Sequence, residues 1–187
     1  EVPFSKRGIH MSRIGDCIAQ YSGKSFKSLQ EYAVALAEAV QKKQYGGPTH
    51  TEVKGIYTYL EKIDGYKPEK DKYSLEQFGI HASATTNEWD QTQNTGISIT
   101  HITACPCVQE ILKYATLRDT KDQLQITHSQ RCLTSVSVED ITDILSIKLL
   151  LETLDRIVFR TQNTLPRQHE AMLVYQSHKT PQFIEDV

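Results

Sequence analysis

Two cysteines flank a proline in the segment Cys105-Pro106-Cys107, where a run of alternating residues stops and a helical pattern begins. A cysteine at a helix N-terminus is expected to have a lowered pKa, because the helix dipole and the free N–H groups stabilise the thiolate. The thiolate is the form that ligates zinc or iron(II), and it is also the nucleophilic form. This thiol corner therefore predicts metal binding or nucleophilic catalysis, against the alternative of two small buried hydrophobic residues.

A histidine on the next predicted strand offers a second kind of donor. His128 is followed closely by Gln130 and Arg131, and alternation along a strand places His128 and Gln130 on one face and Arg131 on the other. The spacing from Cys105 to His128 matches no zinc-finger pattern, so a structural finger is not predicted. The residues alone predict an enzyme with a single metal ion bound by Cys and His, and they name no substrate.

Other polar segments carry weaker signals. The segment from Arg7 to Arg13 holds two fixed cations and His10, which would suit an anionic ligand such as a phosphate, although its composition alone favours a solvated loop. Glu170 and Glu185 are carboxylates near the C-terminal end of the sequence, but their spacing is not informative by itself. Two further cysteines have no sequence partners and are interpreted as structural; they are Cys17 and Cys132.

Composition places limits on the class of protein. The 187 residues suffice for one domain with a substantial core, and 39% hydrophobic and 24% charged residues are ordinary for a soluble globular protein. The net charge of −2 argues against a general nucleic-acid or membrane binder. No apolar run approaches the ~18 residues that cross a bilayer. No signal-peptide pattern opens the sequence, and four cysteines are too few for a disulfide scaffold, so a reduced cytoplasmic protein is expected.

Hydrophobic periodicity predicts an α+β fold in which an antiparallel sheet is segregated from its helices. Strands are predicted over residues 49–63, 73–86, 96–102 and 124–138, with a polar turn at 87–95. Helices are predicted over residues 29–44 and 108–117, from about 139 to 154, and from Pro181 onwards. Ser137 and Asp140 are expected to cap the third helix. Its apolar face is predicted to contain Ile141, Ile144, Leu145, Leu149 and Leu151.

Five segments, taken together and in order, resemble a known family. They are RGIHMSR at 7–13, TACPCVQE at 103–110, THSQR at 127–131, PRQHE at 166–170 and PQFIEDV at 181–187. They are similar to signature segments of the type IB GTP cyclohydrolases. Val108-Gln109 after the thiol corner, and the long segment before His128, resemble the archaeal, MptA-type branch of that family.

The resemblance implies a tunnelling fold, in which antiparallel strands backed by helices assemble into an oligomeric barrel of two or four subunits with active sites between them. It implies a single catalytic domain over residues 1–187, with further family segments expected beyond both ends. It also implies hydrolysis of GTP to formate and 7,8-dihydroneopterin 2′,3′-cyclic phosphate, the first step towards methanopterin or another tetrahydropterin cofactor.

The same resemblance suggests roles for individual residues. Cys105, His128 and Glu170 match the metal ligands, and Cys107 is expected to tune the site or to shuttle a proton. Glu185 matches the glutamate that anchors the guanine edge. The remaining substrate-binding candidates are Arg7, His10, Arg13, Gln130 and Arg131. Iron(II) is the implied metal, although a mixed sulfur, nitrogen and oxygen ligand set also accepts zinc or manganese.

Three alternatives stay open at this point. A bacterial-type enzyme would give 7,8-dihydroneopterin triphosphate instead of the cyclic phosphate. A non-catalytic tunnelling-fold protein would bind a purine or pterin without turnover. A metal-stabilised structural domain would need a site closed by four protein ligands. None of these interpretations requires a nucleic-acid or membrane partner.

Overall fold

A computed structural model of the chain describes residues 5–6, 8–45, 47–62, 73–116, 128–139, 145–158, 160, 175 and 179–183. The helices and strands, in chain order, are α1 (Met11–Tyr21), α2 (Leu29–Lys43), β1 (Thr49–Lys62), β2 (Tyr73–Thr86), β3 (Gln91–Ala104), α3 (Cys107–Thr116), β4 (Ser129–Val138) and α4 (Ile147–Asp155). The α+β class is confirmed. No helix among the described residues is both long and apolar enough to cross a membrane.

The four strands form one antiparallel sheet in the order β1-β2-β3-β4. Two side-chain pairs between β3 and β4 show the antiparallel register, because His101 contacts Thr134 whereas Thr103 contacts Cys132. The chain divides into two compact units. Unit 1 comprises Glu1–Ile56, Gly79–Ile97 and Val136–Leu150, and unit 2 comprises Tyr57–Phe78, Ser98–Ser135 and Leu151–Val187.

In unit 1, α2 packs on the sheet through small side chains. Ala33 and Ala37 are fully buried against Ala82 and Ala84 of β2. Alanine favours helix and allows the helix to approach the strand closely, so the predicted helix over residues 29–44 is confirmed. Ser28 caps this helix by accepting a hydrogen bond from the Glu31 backbone N–H at 3.0 Å.

The interpretation of the N-terminal segment as a solvated loop is wrong beyond His10. Helix α1 begins at Met11, buries Cys17 completely and is joined to α2 by a hydrogen bond from the Tyr21 hydroxyl to the Ala35 carbonyl, 3.1 Å long. An apolar spacing of three and four residues was present in the sequence. The positions that carry this spacing are Met11, Ile14, Cys17, Ile18 and Tyr21.

The turn is shorter than the prediction over residues 87–95. It occupies only the four residues from Asn87 to Asp90. The Asn87 side-chain oxygen accepts hydrogen bonds from the backbone N–H groups of Trp89 and Asp90 at 2.7 and 2.6 Å. Strand β3 then starts at Gln91, and its polar Asn94 is hydrogen-bonded to Ser83 of β2. Pairing across the sheet therefore extends the strand through residues that look turn-like in sequence.

The predicted start of the third helix is also wrong. Ser137 belongs to β4 and its hydroxyl contacts His81 Nε2 at 2.6 Å, so it caps no helix. Helix α4 begins at Ile147, and it buries Leu150 and Leu154, whereas Leu149 is 51% exposed. Asp140, Ile141 and Ile144 lie outside the described residues. Pro181 does not open a helix within the described part of the chain, since Phe183 forms a parallel β-bridge with Ala104.

In unit 2, the buried face of β3 carries polar side chains beside Ile99. His101 is 1% exposed, and its Nε2 lies 2.8 Å from the Thr134 hydroxyl. Burial lowers the pKa of His101, and a backbone hydrogen bond at Ile102 opposes this shift. The imidazole is therefore held neutral inside the unit.

A largely buried guanidinium in unit 2, that of Arg160, contacts three carboxylates. Arg160 hydrogen-bonds Asp155 at 2.8 Å and Glu61 at 2.9 Å, and it lies 3.7 Å from Glu76, a residue that is 1% exposed. Burial lowers the pKa of Arg160, but the hydrogen bonds to Asp155 and Glu61 outweigh it, so the net shift is upwards. Burial also raises the pKa of the neighbouring Tyr59 to about 12, despite the opposing charge of Arg160.

Replacing Arg160 by a neutral residue should lower the stability of the fold. In Arg160→Met, three carboxylates lose their shared partner, which we expect to lower the free energy of unfolding by about 3–5 kcal/mol. Lys54→Met is the matched control, because the 2.9 Å Lys54–Glu52 pair is solvent-exposed and should contribute less than about 1 kcal/mol. Urea denaturation measures both values, and equal values for the two variants would contradict the importance of the buried cluster.

The buried His101 should make stability depend on pH. Its pKa in the folded chain is below the ordinary value, so the unfolded chain binds the proton first as the pH falls below about 6.5. Stability should then fall with decreasing pH, by at most about 1.4 kcal/mol per pH unit for this one group. Urea denaturation between pH 7 and 5 should show a shallower decline in His101→Gln, and an unchanged pH dependence would contradict this assignment.

Candidate metal centre

The thiol corner lies at the junction of a strand and a helix, as the sequence predicts. Strand β3 ends at Ala104 and helix α3 begins at Cys107, and the Glu110 N–H closes the first turn on the Pro106 carbonyl at 3.0 Å. Cys105 is half-buried and Cys107 is exposed. The alternative of two small buried hydrophobic residues is therefore wrong.

Three donor side chains converge at this corner. The sulfur atoms of Cys105 and Cys107 are 2.9 Å apart, and the Cys107 sulfur lies 3.6 Å from His128 Nδ1. One ligand atom from each of the three residues falls within 4.8 Å of the others. Two thiolates and an imidazole are a ligand set that zinc and iron(II) accept, so the residues fit a divalent metal ion.

Backbone hydrogen bonds bring these donors together from distant parts of the chain. The Cys105 N–H donates to the His128 carbonyl at 3.3 Å, although 23 positions separate the two residues in sequence. The preceding Ala104 N–H donates to the Gln182 carbonyl at 2.7 Å, and the Gln182 side-chain amide donates to the Ile157 carbonyl at 2.7 Å. Sequence reasoning missed Gln182, because a single glutamine carries no periodic signal.

The protonation of Cys107 differs from the sequence expectation. Its hydrogen bond with Cys105 raises the pKa of the Cys107 thiol, and slight desolvation and the charge of Cys105 add to this. Backbone N–H groups at the start of α3 act in the expected, lowering direction but are outweighed. A metal ion that binds the Cys107 sulfur must therefore displace the proton of its thiol.

The structure describes some of the other candidate site residues but not all of them. Gln130 and Arg131 are exposed in the first residues of β4, and its partly buried residues occupy even-numbered positions from Cys132 onwards. Alternation continued to the strand start places Gln130 on the partly buried register and Arg131 on the opposite one. His10 and Arg13 lie at the start of α1 in unit 1. Three candidates lie outside the described residues; they are Arg7, Glu170 and Glu185.

A comparison with protein families identifies the class. The family model described as "Type I GTP cyclohydrolase folE2" matches residues 1–187, and the chain belongs to this family. The chain is also 26% identical over 196 residues to GTP cyclohydrolase MptA of Thermoplasma volcanium, a match that covers 100% of the chain. It is 27% identical over 214 residues to GTP cyclohydrolase MptA of Methanocaldococcus jannaschii, with 99% of the chain covered. The chain spans 66% of the length of each of these relatives.

Cys105→Ala should abolish metal uptake. Loss of a residue that merely supports a ligand typically weakens metal affinity by about 10–100-fold, so loss of a ligand should cost more than about 100-fold. Cys132→Ala is the matched control, since this cysteine contacts Thr103 instead of the corner. Anaerobic titration with cobalt(II), followed by its sulfur charge-transfer absorption, measures the affinity. If Cys105→Ala binds the ion as tightly as Cys132→Ala, the site is assigned wrongly.

Proposed function

We propose that this chain carries a metal-dependent GTP cyclohydrolase activity of the archaeal type. The products are formate and 7,8-dihydroneopterin 2′,3′-cyclic phosphate, which begins the synthesis of methanopterin or a related tetrahydropterin cofactor. The observation that carries the proposal is the convergence of Cys105, Cys107 and His128 at an exposed corner, in a chain that belongs to the GTP cyclohydrolase family.

The proposed metal ligands are Cys105, His128 and Glu170. Three protein ligands leave a position open, which is typical of catalytic sites, whereas structural sites are closed by four. When bound, a divalent ion lowers the pKa of water to about 7 and so supplies the nucleophile for C8 of guanine. Iron(II) is the proposed metal, and the ligand types also accept zinc or manganese. Cys107 is proposed to tune this site or to hold a proton beside it.

Glu185 is proposed to bind the guanine edge. A carboxylate accepts two hydrogen bonds side by side, and the guanine N1–H and exocyclic amine present two donors in that arrangement. The described residues that precede Glu185 support this role. Gln182 accepts a hydrogen bond from the Ala104 N–H, and Phe183 forms a β-bridge with Ala104. The segment that leads to Glu185 therefore runs beside the thiol corner.

The phosphate groups of GTP require cations. The proposed contacts come from Arg131 and from the N-terminal signature segment, with Gln130 as a further polar contact to the substrate. The signature residues proposed for this role are Arg7, His10 and Arg13. Fixed cations suit polyphosphates because charge-assisted hydrogen bonds to phosphate oxygens are about twice as strong as neutral ones.

Assembly of a tunnelling-fold barrel is the proposed quaternary structure, with two or four copies and active sites between subunits. Strand β1 supports this, because it is an edge strand of the sheet that exposes Ile56 and Leu60 by 72% and 67%. Exposed apolar residues on an edge strand favour pairing with another chain. A cytoplasmic location is proposed with this activity, since thiol ligands need a reducing environment.

The proposed activity is tested by anaerobic incubation of the chain with GTP and iron(II). Formate should accumulate together with a pterin that becomes fluorescent after oxidation, and omission of the metal should abolish both. His128→Ala should lower turnover by at least about 100-fold, because it removes a proposed ligand. Binding of GTP without formate release under any divalent metal would instead support the non-catalytic purine-binding alternative.

The same incubation separates the two product types. A 2′,3′-cyclic phosphate retains one phosphorus atom of GTP, so attack by a hydroxyl of the side chain must release pyrophosphate. A triphosphate product retains all three phosphorus atoms and releases none. Stoichiometric pyrophosphate beside formate supports the archaeal-type reaction, whereas formate without pyrophosphate supports the bacterial-type reaction.

A further inference from the structure

We propose that Tyr45 is a positioning residue that arranges Lys6, His10 and Arg13 into a binding site for polyphosphate, and that Lys6 is an additional phosphate-binding residue. Lys6, His10 and Arg13 are called the cation cluster below. This inference rests on the proposed function, because it assigns the part of unit 1 that would hold the phosphate groups of GTP.

The aromatic ring of Tyr45 is the common neighbour of the cation cluster. The Lys6 ammonium lies 5.4 Å from the ring centroid, and the Arg13 guanidinium lies 5.9 Å from it. The centroids of the His10 and Tyr45 rings are 5.8 Å apart, and the two ring planes are inclined by 52°. Cations within about 6 Å of an aromatic centroid are attracted to the negative face of the ring. The Tyr45 ring thus has three nitrogen-bearing groups within about 6 Å of its centroid, and it does not neutralise the two fixed cations.

Residues at the C-terminal end of α2 form hydrogen bonds with His10 and Arg13 of the cation cluster. Gln44 is buried, and its side chain accepts a hydrogen bond from the His10 N–H at 3.2 Å and donates one to the His10 carbonyl at 2.8 Å. Arg13 donates to the Lys43 carbonyl at 3.0 Å. Tyr45 itself has a positive backbone φ of 20°, which residues other than glycine rarely adopt. These contacts connect the N-terminal signature segment to three consecutive residues, Lys43 to Tyr45, at and just beyond the C-terminal end of α2.

The charge of the cluster is not compensated by the described residues. No described carboxylate lies within ion-pair distance of Lys6 or Arg13, whereas two other lysines of unit 1 are paired with acids. Lys42 pairs with Glu38, and Lys54 pairs with Glu52. Two fixed cations and an imidazole around one ring suit the closely spaced charges of a polyphosphate. The net charge of −2 argues against a nucleic acid as the ligand.

Binding of magnesium tripolyphosphate to the metal-loaded chain tests the inference without turnover. Isothermal titration in excess magnesium compares wild type with Tyr45→Leu, which should lose about five- to twentyfold in affinity through two cation–π contacts. Tyr45→Phe keeps the ring and should restore affinity to within about twofold. Retention of the bound metal after titration, and unchanged circular dichroism, show that each variant is intact.

A second pair of variants tests the new phosphate contact. Lys6 is exposed, so Lys6→Met should fold normally, bind tripolyphosphate about threefold more weakly and show a weaker dependence on salt. Lys24→Met is the matched control, because Lys24 also lies over a tyrosine of unit 1, at 5.1 Å from the Tyr21 ring centroid. Lys24→Met should bind the probe as wild type does.

The results separate this inference from the proposed function. If wild type binds tripolyphosphate and the variants behave as stated, the inference holds even when GTP is not hydrolysed. If GTP is hydrolysed and Tyr45→Leu raises KM with kcat unchanged, both hold. The inference is overturned if wild type does not bind the probe, if Tyr45→Leu and Lys6→Met bind it like wild type, or if Tyr45→Phe fails to restore binding.

Discussion

Two backbone hydrogen bonds at the end of β3 bring together the residues of the candidate metal centre. Ala104 donates to Gln182 and Cys105 donates to His128, so three remote segments meet at one corner. Side-chain donors are useful for metal binding only if the backbone holds them close, because ordering long loops around an ion costs conformational entropy. The rigid Pro106 between the two cysteines further limits their freedom. The site is therefore largely prearranged by the sheet.

The two units use charge in opposite ways. In unit 2, Arg160 is enclosed by Asp155, Glu61 and Glu76, and the guanidinium is committed to structure. In unit 1, Lys6 and Arg13 rest on the Tyr45 ring, which attracts cations but carries no net charge. An aromatic neighbour holds a cation in place and leaves its charge available to a ligand, whereas a carboxylate neutralises it.

The sequence predicted features that depend on local pattern. The helix over Leu29–Lys43, the strands and the thiol corner follow from periodicity and from the Cys-Pro-Cys spacing. Features that depend on tertiary pairing were not predicted. Strand β3 extends back to Gln91 because polar residues pair across the sheet, and Ser137 pairs with His81 within the sheet instead of capping α4. The roles of Gln44 and Gln182 come from long-range hydrogen bonds, which leave no trace in local sequence.

The position of Cys107 bears directly on the proposed reaction. Its sulfur is close enough to Cys105 and His128 to join them in binding one ion. If Cys107 and Glu170 both served as ligands, the site would have four protein ligands, which is the closed arrangement of a structural site. Hydrolysis needs an open position for water. The proposed activity therefore requires that Cys107 stay outside the set of metal ligands, and its exposed location at the first residue of α3 gives its side chain room to do so.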